Sequence, residues 1–136
     1  MASTLYTTYK EICLTQNPAV DMDTDTIKAR LYSTDDYTPS AGHDFLDDVT
    51  AYSGTADATL SNKTTTDGVF DNTATITFSG VNIDGAKLVH GVVIHKDAGG
   101  AESADPLICW LEFAIAKTPN GGDIVVDWHS SGLFAI

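Results

Sequence analysis

The stretch "TATITFSG", residues 73–80, sets Ala74, Ile76 and Phe78 against Thr73, Thr75 and Thr77 with a period of two. Successive side chains of an extended chain point to opposite faces, so the pattern calls for a strand with one face on a core and one in water. "TIKARLY", residues 26–32, repeats it with Ile27, Ala29 and Leu31 opposite Lys28, Arg30 and Tyr32. "AKLVHGVVIHKD", residues 86–97, is more continuously apolar, as a central strand covered on both faces would be. "ATLSNKTTT", "GVFD", "LICWLEFA", "GDIVVDWH" and "GLFAI" add further candidates, separated by turn material such as "DAGGAESADP", "KTPNGG" and "SSG". About seven or eight short strands spaced in this way predict an all-β fold, an antiparallel β-sandwich, jelly roll or barrel, with residues 1–136 forming one domain. The core candidates are Ile76, Phe78, Val92, Ile94, Ile108, Trp110, Val126 and Trp128.

Composition supports the same class. Of the 19 acids 16 are aspartate, and they occur with 18 threonines and 11 glycines, the residues of strands and tight turns rather than of helix interiors. One short helix is expected at the N-terminus, where Leu5, Tyr9 and Ile12 recur at helical spacing, Thr4 could cap and Asn17-Pro18 stops the run. "FLDDVTAY", residues 45–52, is open between a helical turn and an irregular segment. "PLICWLEFAIA", the longest apolar stretch, contains Glu112 and falls short of the ~20 residues of a bilayer crossing. The first residues lack the basic and apolar regions of a secretory signal, so none is expected here. Cys13 and Cys109 read as small buried hydrophobes rather than a disulfide.

Net charge is −12, with the acids spread along the chain and the basic residues scattered singly. Phosphate contacts need the opposite balance, so a nucleic-acid partner is not expected. "DMDTDTIKARLY", residues 21–32, carries aspartates at every second position, yet a calcium loop counted from Asp21 would need glycine at Thr26 and glutamate at Tyr32. A turn whose carboxylates bond nearby amides is the expected reading, with a looser calcium site as its alternative. His43, His90, His95 and His129 show no metal-ligand spacing. "HSSG" at residues 129–132 lacks the strand-to-helix elbow of a hydrolase and reads as a turn. The doublets Asp35-Asp36 and Asp47-Asp48 lie side by side rather than across a cleft. The expectation is a protein that is not an enzyme, with no cofactor and no metal.

The chain ends are unusually rich in large apolar side chains for segments that commonly fray. Tyr6, Tyr9, Leu133 and Phe134 are therefore the candidate partner-binding residues, the alternative being that they pack on their own sandwich.

Three stretches taken together, "DTDTIKARLYSTDDYTPSAGHDFLDDV", "GAKLVHGVVIHKDAGGAESADPLICWLEF" and "GGDIVVDWHSSGLFAI", resemble a family of small tailed-bacteriophage virion proteins that includes capsid cement and decoration proteins. The resemblance runs from about Tyr9 to Ile136. It implies a jelly-roll-like β-sandwich, commonly a homodimer, that sits on the outer surface of the virion capsid and clamps neighbouring subunits of the major capsid protein. Assembly in the host cytoplasm would need neither disulfide nor membrane. A tail or fibre-adaptor virion protein and a carbohydrate-binding module are the alternatives.

Overall fold

Ten strands and one α-helix follow one another along residues 2–136, which the computed structural model describes. They are β1 (Ala2–Leu5), α1 (Thr7–Thr15), β2 (Ile27–Tyr32), β3 (Ala58–Thr59), β4 (Lys63–Thr66), β5 (Val69–Asn72), β6 (Ile76–Phe78), β7 (Val89–Lys96), β8 (Leu107–Lys117), β9 (Ile124–Val126) and β10 (Phe134–Ala135). Short 3-10 turns at Leu46–Asp48 and Tyr52–Gly54 resolve the ambiguity of "FLDDVTAY". The strand number exceeds the expected seven or eight because "ATLSNKTTT" divides into β3 and β4, and because Ala2–Leu5 is a strand rather than the lead into the helix. Thr4 accordingly pairs with Trp110 and does not cap α1. The cap position is Tyr6, whose side chain makes no capping bond. Tertiary carbonyls do that work: Tyr6 N–H donates to Ile108 O at 3.1 Å and Thr7 N–H to Ala41 O at 2.9 Å.

The strands form an antiparallel, sandwich-like fold. A five-stranded sheet runs in the order β1-β8-β7-β2-β3, with a three-stranded sheet β10-β5-β4 and a pair β6-β9 contributing to the same core. Ile27, Ala29, Leu31, Val92, Ile94 and Leu111 from the large sheet bury against Phe70 and Phe134 of one small sheet, Ile76, Phe78 and Val126 of the other, and Tyr9 and Ile12 of α1. Alternation thus reported burial correctly at β6 and β9. Trp128 is buried as expected, while Trp110 is only partly so, its ring centroid 4.8 Å from that of Tyr6.

The second face of the large sheet is also covered, which the β2 alternation did not foresee. Arg30 and Tyr32 were expected on a solvated face and are 8% and 0% exposed. The cover is the segment after β2: Tyr37, Leu46 and Val49 join Tyr6, Tyr32, Val93 and Leu107 in a satellite cluster. A register shift between Ile94 and His95 lets β8 serve both faces, sending Ile108 and Cys109 to the main core and Leu107 to the satellite.

Two glycines fix close approaches. Asp67 and Gly68 connect Thr66 to its partner Val69 with φ of 53° and 77°, the two positive values of a type I′ hairpin turn. At Gly91, in the middle of β7, an added Cβ would lie 2.1 Å from Leu111 O and 3.0 Å from the Tyr32 ring.

Candidate functional site

The second face of β2 and the loop over it create a cluster of charge. Arg30 Nε donates to Asp57 Oδ1 at 2.9 Å and Nη2 to Asp57 Oδ2 at 3.2 Å, a bidentate pair. Nη2 also reaches Glu102 Oε1 at 2.6 Å, while Nη1 donates to Val49 O at 2.9 Å and Glu102 Oε2 at 3.3 Å. His95, 1% exposed, places Nε2 3.0 Å from Asp57 Oδ2 and Nδ1 3.3 Å from Lys96 O. Burial alone would raise the Asp57 carboxyl, but hydrogen bonds from His95 and Arg30 outweigh it and hold the group below the usual carboxylate range. Burial would likewise lower the Arg30 guanidinium, and Glu102 and Asp57 reverse the direction.

A histidine against a carboxylate is half of an acid–base pair, and here the other ring nitrogen faces the Lys96 carbonyl. Both His95 nitrogens face acceptors, and no hydroxyl or thiol lies within hydrogen-bond reach of the ring among the described residues. The Arg30 donors are all engaged and Lys28 pairs with Asp97, so both cations lining the open cleft of about 760 Å³ above them already have acidic partners. The arrangement ties loop 49–57 and the 3-10 turn Glu102–Ala104 to the sheet. It is a clamp.

The aspartates of residues 21–25 are spent on the turn before β2. Asp21 Oδ1 accepts the N–H groups of Asp23 and Thr24 at 3.0 and 3.1 Å, Asp25 Oδ2 accepts Asp21 N–H at 2.8 Å and pairs with Lys96 Nζ at 2.8 Å, and Asp23 Oδ2 accepts the Thr65 hydroxyl at 2.7 Å. Backbone bonds from Thr24 lower the Asp21 carboxyl most. No group of three metal-ligating side chains forms among the described residues. A chelator in excess should leave the melting temperature unchanged; a fall of more than a few degrees that calcium restores would overturn the turn reading.

The remaining histidines and doublets are likewise dispersed. His43 bonds Tyr37 Oη at 3.0 Å, His90 accepts Thr34 N–H at 3.1 Å, and His129 Nδ1 accepts Ser131 N–H at 3.1 Å inside the turn expected of "HSSG". Asp36 pairs with Lys87 at 2.8 Å and Asp48 accepts Asp44 N–H at 3.2 Å. Cys13 and Cys109 are free thiols.

The terminal residues proposed as partner contacts need correction. Tyr6, Tyr9, Leu133 and Phe134 are 0%, 4%, 3% and 8% exposed, packed into the protein's own core. Tyr6 Oη bonds Tyr37 Oη at 2.7 Å, and Tyr9 meets Phe134 edge-on with ring centroids 5.8 Å apart. Leu133 N–H donates to Phe70 O and Ile136 N–H to Gly68 O, stitching the last strand to β5. The apolar ends are there because β1 and β10 are edge strands that must cover a core.

The large apolar side chains left exposed are Leu14 on α1, Ile83, Ile136 at the last position, and Ile115 and Val125, which share one groove. β8 continues five residues beyond Glu112, the partner of Ala2 in β1, to Lys117. On the β7 side the pairing passes from Gly91↔Glu112 to Val89↔Lys117, so Phe113–Ala116 form a bulge between two paired positions. This bulge and β9 bound a groove of about 330 Å³ lined by Phe113, Ile115, Ile124 and Val125, with Lys117 and Asp127 among its polar residues. Ile115 is 75% and Val125 59% exposed. Leaving such side chains in water forgoes burial worth about 25 cal/mol per Å², which makes the groove the candidate contact surface. Sequence reasoning missed it, although its signal was present: "EFAIAK" stays apolar past Glu112, and Val125 occupies a face of β9 that alternation assigns to water.

No helix among the described residues is long and apolar enough to cross a membrane. Compared with protein families, with curated proteins and with solved structures, the chain matches none.

Proposed function

We propose that the chain is a structural virion protein, a cement or decoration protein that binds the outer surface of a tailed-phage capsid and stabilises contacts between major capsid protein subunits. The resemblance of the three stretches quoted above supplies this class. The observation that carries it to a site is the exposed apolar groove between the β8 bulge and β9, on a sandwich whose charged clusters are otherwise engaged with one another. Lys28, Arg30, Lys87 and Lys96 are held in ion pairs with acids, so the net charge of −12 is expressed as outward-facing carboxylates. Such a surface is repelled by packaged nucleic acid and favours the outside of a shell. Many copies that bind only the assembled lattice stabilise it by mass action. A sugar-stacking role has less support, since Trp128 is buried and Trp110 lies against Tyr6.

The test uses shells of the phage whose genome encodes the chain, stripped of endogenous copies. Added protein should bind in proportion to shell area and delay thermal disruption, and Ile115→Asp should weaken binding by about ten-fold or more while leaving the fold intact. Absence of shell binding, or gold-labelled protein found on tails alone, would remove the proposal.

A further inference from the structure

We infer that Tyr37 is a one-electron oxidation site: a diffusing oxidant such as a peroxyl or azide radical takes an electron by way of Trp110 and Tyr6, and the Tyr37 hydroxyl proton passes to His43. The inference stands apart from the proposed function. A hydrogen-bonded chain carries it. Tyr6 Oη lies 2.7 Å from Tyr37 Oη, and Tyr37 Oη lies 3.0 Å from His43 Nδ1. With the His43 ring protonated on Nε2, Nδ1 accepts, so Tyr37 donates to His43 and accepts from Tyr6. Every bond in the chain then points outward, from two buried tyrosines to a half-buried imidazole. At the inner end the Trp110 ring, itself half-buried, has its centroid 4.8 Å from that of Tyr6 and gives the oxidant a way in.

The surroundings decide which ring holds the radical. A neutral phenol that loses an electron becomes a strong acid, so the electron leaves readily only where a base touches the hydroxyl and takes its proton. Burial pushes the Tyr6 and Tyr37 hydroxyls above their ordinary range, which keeps both protonated and closes the route through a phenolate. Tyr32 is the internal contrast. Its ring meets that of Tyr37 edge-on with centroids 5.7 Å apart, yet its buried hydroxyl has no hydrogen-bond partner and nowhere to send a proton. The step balances: the oxidant gains the electron, Tyr37 becomes a neutral phenoxyl radical and His43 an imidazolium. A reductant such as ascorbate returns the electron, and His43 returns the proton. Leu46, Val49, Val93 and Leu107 pack in the same cluster as the tyrosines and keep water from their rings.

The experiment uses the full chain and azide radicals made by pulse radiolysis, which oxidise tryptophan first. The tryptophanyl absorption should decay into a tyrosyl band at a rate independent of protein concentration, and freeze-quenched electron paramagnetic resonance should lose the tyrosyl signal in Tyr37→Phe. Trp110→Phe should remove the fast transfer, which separates Trp110 from the buried Trp128. His43→Gln keeps an acceptor for the hydroxyl but no base for its proton, and should slow tyrosyl formation by about 100-fold, the low end of what a positioned base contributes. Tyr32→Phe should change nothing. If Tyr37→Phe does not fold, His43→Gln, at a half-buried loop position, decides alone. Absence of a tyrosyl band in the native chain, a signal that survives Tyr37→Phe or vanishes with Tyr32→Phe, or formation at the native rate in His43→Gln would overturn the inference. So would a radical that settles on the buried Cys109 thiol.

Discussion

Arg30→Met should lower stability by about 3–5 kcal/mol, the range for removing one partner of a buried ion pair. For a chain of this length that corresponds to a fall in melting temperature on the order of 10 °C. The size of the effect follows from what is left behind. Asp57, with a side chain 13% exposed, keeps only His95, and the Val49 carbonyl loses the donor that holds the loop down. The more accessible pair Lys28–Asp97, 2.7 Å apart with side chains 29% and 26% exposed, is the control: Lys28→Ala should cost under about 1 kcal/mol. The clamp also makes a prediction about acid. Because Asp57 sits below its ordinary range when folded, its contribution is complete above the unfolded value of about 4 and is lost as pH falls through the lower folded value. The stability gap between the native chain and Asp57→Asn should therefore be widest near neutrality and close below about pH 4. Thermal melts across that range check it, and a gap independent of pH would mean that the carboxylate's charge is not what Arg30 and His95 hold.

Gly91→Ala should be at least as damaging as the upper end of the about 1–3 kcal/mol that overpacking costs. Its Cβ would fall 2.1 Å from the Leu111 carbonyl, which is backbone in the neighbouring strand and cannot swing aside like the end of a side chain. Tyr32 is 0% exposed, and its ring, 3.0 Å from the same position, has no space to retreat into. Gly42→Ala, where nothing lies within 4 Å, should be close to neutral in the same denaturant titration. Equal midpoints for the two variants would show that β7 and β8 can slide apart without cost.

The strands were legible where one face meets water and the other a core, because alternation then reports burial directly, as it did for Ile76–Phe78 and Ile124–Val126. It failed at β2. The polar-looking face of "TIKARLY" is covered by Tyr37, Leu46 and Val49, whose spacing in a loop has no period to read. The clamp was invisible for a related reason: Arg30, Asp57, His95 and Glu102 come from four separate segments and meet only in three dimensions. One clue was present, since a histidine inside the apolar run "VVIHK" must find a partner when buried. The pair Asp67-Gly68 is a hairpin signal by itself and would have joined "KTTT" to "VFDN". At the termini the density of apolar side chains was legible, but density alone does not distinguish a surface offered to a partner from a strand closing its own sheet.

The pairing of β1 with β8 has a temporal consequence. Ala2 lies opposite Glu112 and Leu5 opposite Cys109, so the large sheet cannot close until nearly the whole chain is available to it. Local structure such as the β4–β5 hairpin can form in about 1–10 μs. Closing a sheet across more than a hundred residues waits on a far less frequent encounter, which places the domain among slow, high-contact-order folders. During that wait β8, the longest strand and one rich in apolar side chains, has an open edge on the side β1 will occupy. Newly made chains are then most exposed to mispairing with one another, and dilution or low temperature during refolding should raise the yield of the native form more than any change made to the finished surface.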